Sequence, residues 1–166
     1  VRLYLCRHAE AVDSAGDPPN DEERWLTDHG RQQAISVGRA LHGQGIGFDQ
    51  ILTSRLVRAV QTAEGIAFAL HQNRVIAVHR DLAPGGRLGK LLADLESLAT
   101  PGSSVALVGH EPQMSEWGAK LLGRQALPLA FKKGAVLCID WDGAPELGTG
   151  RGVFFLTPKT LRLDPI

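Results

Sequence analysis

Cysteine is scarce in this 166-residue chain, aromatic residues make up only 5%, and neither sign of charge prevails. The 2 cysteines, Cys6 and Cys138, sit inside apolar runs and form no Cys-x-x-Cys pair. That spacing argues against a disulfide framework and a thiol zinc or redox site, and predicts two small buried hydrophobes in a reducing compartment. Lys plus Arg and Asp plus Glu each number 18, so no bulk field draws the chain to nucleic acid or to a membrane surface. The longest basic cluster, Lys132-Lys133, has only Phe131 beside it. A single-strand groove needs cations interleaved with stacking rings, so this cluster reads as a solvated turn. No run of about 18 apolar residues occurs and no charged leader precedes a long apolar segment, which predicts a cytoplasmic protein without a membrane partner. The 6 histidines (His8, His29, His42, His71, His79 and His110) show neither His-x-His nor His-Glu-x-x-His spacing, so neither metal nor other cofactor is expected. Gly-x-Ser-x-Gly is missing, which argues against a serine hydrolase. Gly85 to Lys90 fails as a phosphate loop because Leu91 follows the lysine.

What is present is an alternation of short apolar runs with amphipathic helices, on a length that suits one domain, residues 1–166, and a monomer. Leu3 to Cys6 is a strand that delivers Arg7 and His8. A polar surface loop from Asp13 to Arg24 follows, with Asp17-Pro18-Pro19-Asn20 as its strongest breaker. Thr27 caps a helix with Ala34, Val37 and Leu41 on one face, closed by Gly43, Gly45 and Gly47. After the strand Gln50 to Thr53, Ser54 is placed to cap a helix whose apolar stripe is Leu56, Val60, Ala63, Ala67 and Leu70. Arg58 lies off that stripe, on a face with Ser54 and Thr62; alone it would read as a solvated arginine. Val75 to Val78 is a third strand, with Asp81 just beyond it. A helix from Leu88 to Leu98 packs Leu91, Leu95 and Leu98. Ser104 to Gly109 is the clearest buried strand and delivers His110, with Pro112 at the first position of a helix that buries Met114, Trp117 and Leu121. Two last strands, Gly134 to Trp141 and Gly152 to Thr157, form a hairpin near one sheet edge.

Together these elements predict a three-layer α/β/α sandwich with a mostly parallel central sheet of about six strands. Four strand ends are followed by ionisable side chains: Arg7 with His8, Arg58, Asp81 and His110. Two arginines, two histidines and an acid describe a phosphate site, since guanidinium groups bind phosphoryl oxygens bidentately and an imidazole can attack phosphorus. Arg7-His8-Ala9, Leu26-Thr27-Asp28-His29-Gly30 with Gln33-Ala34, Ser54 to Ala63, and Gly109-His110-Glu111-Pro112 resemble the histidine phosphatase superfamily. The short length and the Arg-His-Ala-Glu-Ala opening are most similar to its compact SixA-like phosphohistidine phosphatases. The resemblance implies His8 as the phosphorylated nucleophile, Arg7 and Arg58 as phosphate clamps, and His110 as the second histidine supporting the moving phosphoryl group. Asp81 falls where many members place an acidic proton donor, usually a glutamate; it could equally pair with Arg80 or Arg87. Ser54 and Arg55 stand at the mouth as substrate contacts, although many members have proline in place of Arg55, which could instead face solvent. The implied substrate is a phosphorylated protein, such as a histidine-phosphotransfer domain, or else a small phosphate ester. An inactive phosphohistidine-binding module is disfavoured by the retention of both histidines and both arginines.

Overall fold

Continuous apolar runs such as Leu3 to Cys6 and Val105 to Val108 have no polar face to offer water, and each is buried on both sides of one sheet. A computed structural model describes residues 1–13, 20–72 and 75–166. Its elements are β1 (Arg2–Arg7), α1 (Asp28–Gly43), β2 (Gln50–Thr53), α2 (Val57–Ala69), β3 (Ile76–Val78), α3 (Leu88–Leu98), β4 (Ser104–Gly109), α4 (Gln113–Leu121), β5 (Val136–Asp140), β6 (Arg151–Leu156) and β7 (Asp164–Pro165). Short 3-10 turns lie at Asp21–Glu23 and Arg80–Leu82. The sheet has 7 strands in the order β3-β2-β4-β1-β5-β6-β7, one more than expected because the two-residue β7 adds to the edge. The first four in that order are parallel to one another, while β5, β6 and β7 alternate in direction.

Alternation along β1 divides the core. Tyr4 and Cys6 pack with Ala34, Val37 and Leu41 of α1 and Ala59, Ala63 and Ile66 of α2, whereas Leu3 and Leu5 face Leu91 and Leu95 of α3 and Met114, Trp117 and Leu121 of α4. Adjacent parallel strands β1 and β4 therefore send their following helices to opposite faces. Such a switch point leaves a crevice at the carboxyl ends of the two strands, where ligands bind in open α/β sheets. The register pairs Arg7 with Gly109, so His8 and His110 emerge side by side.

Most expected elements recur, with departures that have local causes. Strand β3 begins at Ile76, leaving Val75 86% exposed at the sheet margin. In α3 the third leucine, Leu98, sits on the last turn and is 44% exposed. The buried face of α2 is turned toward Ala59 and Ile66, with Val60 only half-buried, because Arg58 and Thr62 are drawn inward. Pro112 lies at the cap position, one residue before α4. Residues 17–19 of the expected loop breaker lie outside the described residues. Both cysteines are buried and unpaired. Among the described residues no helix is long and apolar enough to cross a membrane.

Candidate active site

His8 is fixed at three levels. Its amide donates to Gly109 O at 3.0 Å, locking β1 against β4 at their ends. The next amide, Ala9 N–H, donates to Thr62 Oγ1 at 2.9 Å, and that hydroxyl donates to Arg58 O at 2.7 Å, so the strand end is tied to α2. The imidazole Nδ1 lies 2.7 Å from Ala9 O. A carbonyl only accepts, so Nδ1 carries the proton and Nε2 keeps its lone pair. Burial, opposed by the Ala9 bond and reinforced by Arg58, Arg7 and Lys133, pushes the His8 pKa down to about 4, which keeps the ring neutral near pH 7.

His110 stands opposite, with ring centroids 5.1 Å apart. Burial, followed by the charges of His8, Arg58 and Arg7 and opposed by Asp21, brings its pKa down to about 3. Its Nε2 is 2.8 Å from Ser54 Oγ, which also accepts the Leu56 amide at 3.2 Å. Ser54 therefore does not occupy the cap of α2, which starts behind Leu56 with no side-chain cap. Hydrogen bonding to His110 and to the Leu56 amide holds the hydroxyl in the turn before the helix.

Both arginines flank the histidines. Arg7 donates from Nη1 to Phe131 O at 2.8 Å, and its carbonyl shares the Gly134 amide with the carbonyl of His8. The Arg58 side chain is only 6% exposed and is held by Asp21, unlike a solvated helix arginine. Arg7 Nε, Arg58 Nε and His110 Nδ1 are buried without a hydrogen-bond partner among the described residues. An unpaired buried polar atom costs about 1–3 kcal/mol, so the two arginine Nε–H groups each favour an acceptor. Arg55 differs: it is exposed and ion-paired with Glu22.

Asp81 is buried beyond β3, its Oδ1 accepting the Arg87 amide at 3.0 Å while Arg80 Nε lies 3.4 Å from Oδ2. Burial alone would raise its pKa, but the Arg87 amide and the Arg80 guanidinium outweigh burial and hold the carboxyl below its ordinary value. Gly86 folds against Asp81, where an added Cβ would come within 1.9 Å of Asp81 O. His79 serves this turn structurally, accepting the Asp81 amide on Nδ1 at 3.2 Å, with Nε2 3.0 Å from Asp94 Oδ2.

Residues outside the immediate site support it. Gln33 Oε1 accepts the Glu10 amide and Gln61 Oε1 the Leu26 amide. Thr27 does cap α1, accepting the Gly30 amide, and Gly30 is needed because a Cβ there would lie 1.9 Å from Glu10 O. Lys133 departs from the solvated-turn reading: it is half-buried and its charge lowers the His8 pKa. No spacing signal marks it, since the sheet brings it beside His8 from over a hundred residues away. Among the described residues no group of three or more His, Cys, Asp and Glu side chains is placed to hold a metal ion.

A profile of the histidine phosphatase superfamily (branch 1) matches residues 3–83, the part that supplies Arg7, His8, Arg58 and Asp81. An uncharacterized protein of Picosynechococcus is 38% identical over 97% of this chain and 99% of its own. The chain belongs to the histidine phosphatase superfamily. Phosphohistidine phosphatase SixA of Escherichia coli is 27% identical, covering 98% of each chain. The solved structure of the protein histidine phosphatase SixA with tungstate superposes with a TM-score of 0.85 at 26% identity, covering 98% of this chain and all of that one. The chain is thus a SixA-like phosphatase of the histidine phosphatase type.

Proposed function

We propose that this phosphatase removes phosphate from phosphohistidine on a protein, in the cytoplasm and without a metal, through a phosphorylated His8. The observation that carries the reading is the Nδ1 contact to Ala9 O. It leaves the Nε2 lone pair of a neutral imidazole among Arg7, Arg58 and Lys133. Nε2 forms a bond to phosphorus as the phosphorus–nitrogen bond of the substrate breaks, and the leaving imidazole departs with its proton. Water then attacks phosphorus, its protons leaving on the released inorganic phosphate as the bond to Nε2 breaks and His8 recovers its lone pair. Phosphoryl transfer passes through a loose transition state with charge on the equatorial oxygens. Arg7 and Arg58 present unpaired buried donors to those oxygens, and His110 supports them from the far side, steadied by Ser54.

Asp81 favours phosphohistidine over an ester. An alkoxide leaving group needs a proton from an acid, whereas a protonated imidazole leaves readily. The Asp81 carboxyl is held below its ordinary pKa by the Arg87 amide and Arg80 despite burial, which suits a substrate that asks little of a donor. The test is a comparison of kcat/KM on a phosphorylated histidine-phosphotransfer domain and on a panel of small phosphomonoesters, each with and without exhaustive chelation. The phosphoprotein should be the better substrate and chelation should leave its rate unchanged. A panel ester turned over faster would replace this substrate class, and activity restored only by added metal would remove the metal-free step.

A further inference from the structure

We infer that Asp21 is a positioning residue that sets the clamp Arg58 by gripping the edge of its guanidinium that the phosphoryl group does not use. The inference rests on the phosphatase reading above. A guanidinium carries five N–H donors in a planar fork. Asp21 takes one from each terminal nitrogen: Nη1 donates to the Asp21 main-chain carbonyl at 2.6 Å and Nη2 to Oδ2 at 3.1 Å. The Nε hydrogen, buried and without a partner among the described residues, shares an edge of the fork with one remaining hydrogen of a single terminal nitrogen. That unused edge is what a phosphate can bind bidentately.

The grip is itself braced. Asp21 Oδ1 accepts from Arg24 Nη1 at 2.9 Å, and Arg24 Nε donates to Val12 O at 2.6 Å, next to the strand-end loop that begins at His8. With one oxygen on Arg24 and the other on Arg58, the carboxylate has no free rotation. Glu22, the next residue of the same turn, pairs with Arg55, two residues before α2. The carboxylate is 61% exposed whereas the arginine is 6% exposed, so a cheaply solvated acid orients a costly buried cation. An exposed ion pair contributes little stability of its own, about 0–1 kcal/mol. Its effect lies in fixing one geometry of the fork.

Hydrolysis of p-nitrophenyl phosphate and calorimetric binding of inorganic phosphate, measured on wild type, Asp21→Ala, Arg58→Ala and the double variant, test this assignment, with thermal melts as the check on folding. A misplaced catalytic group costs on the order of 100-fold in rate, so Asp21→Ala should lower kcat by about 10- to 100-fold and weaken phosphate binding. In the Arg58→Ala background the same change should cost less than about twofold, because its object is gone. Arg24→Ala should follow Asp21→Ala in direction with a smaller loss, and supplies the same comparison should Asp21→Ala fail to fold. Equal losses with and without Arg58 would overturn the assignment, as would tighter phosphate binding in Asp21→Ala, which would make the carboxylate a competitor of the substrate. Wild-type turnover with an unaffected Asp21→Ala would defeat this inference alone. A wild type that neither hydrolyses the ester nor binds phosphate would defeat the phosphatase reading and this inference with it.

Discussion

Both halves of the sheet have buried central strands and an exposed edge strand, yet almost every residue of the candidate site stands on the parallel half. Strands β1, β2, β3 and β4 run the same way, so their carboxyl ends share one rim, and that rim holds Arg7, His8, Ser54, Asp81 and His110, with Arg58 at the second position of α2. Strands β5, β6 and β7 alternate, so successive ends point to opposite rims. The antiparallel half still reaches the site once. The stretch before β5 clasps β1 through Phe131 O, the Gly134 amide and Ala135 O, and carries Lys133. Co-directional strands concentrate chemistry, while the hairpin half braces it.

If the parallel rim is the seat of chemistry, its central residue should be indispensable. His8→Ala should reduce turnover below detection, and rapid quenching of wild type without acid should trap phosphate on His8, located by mass spectrometry. The adduct is a phosphoramidate and should survive alkali and decay in acid. Phosphate found on another residue, or wild-type turnover by His8→Ala, would end the covalent mechanism even with the fold unchanged.

The next contrast lies within four residues. Arg58 is buried beside the histidines and Arg55 is exposed on Glu22. Arg58→Lys keeps the charge but loses the planar fork, so kcat/KM should fall by about 100-fold, as on removing one strong transition-state donor. Arg55→Lys keeps a cation paired at the surface and should stay within about threefold, as surface changes of about 0.5 kcal/mol do. Equal losses would mean that Arg55 also grips substrate.

Much of this site was legible because motif residues are adjacent in sequence to the strand ends they follow. Arg7-His8 and His110 were readable from apolar runs that stop abruptly, and Arg58 from its place beside Ser54 in the motif, although its burial was not. What escaped has a common physical cause. The Asp21 grip on Arg58 and the approach of Lys133 to His8 are long-range contacts made by polar turns, whose composition reads as solvated. The cap role given to Ser54 failed similarly, since a serine before a helix cannot show that a histidine 56 residues later will take its hydroxyl. Leu98 was misplaced because helical periodicity continues to the last residue of α3, where the side chain is 44% exposed.

Lys133 provides the smallest and sharpest test of the division between the two halves, since among the described residues it is the charge that the hairpin side brings to His8. The His8 pKa is lowered from 6.5 to about 4, first by burial, then by Arg58, Arg7 and finally Lys133. As pH falls from 6.5 toward 4 the unfolded chain takes up this proton before the folded chain does, so folding stability declines across that window. Lys133→Ala removes the last and weakest of those cationic influences. The His8 titration, followed by imidazole NMR shifts, should move upward by less than about one unit, equivalent to about 1.4 kcal/mol. The acid loss of stability should shrink correspondingly. Loss of one peripheral cation should lower kcat/KM by less than about tenfold, well short of the loss at Arg58. A loss as large as that of Arg58→Lys would make Lys133 a third clamp and place part of the chemistry on the antiparallel half. An unmoved His8 titration would instead separate Lys133 from the site and leave the hairpin as scaffold alone.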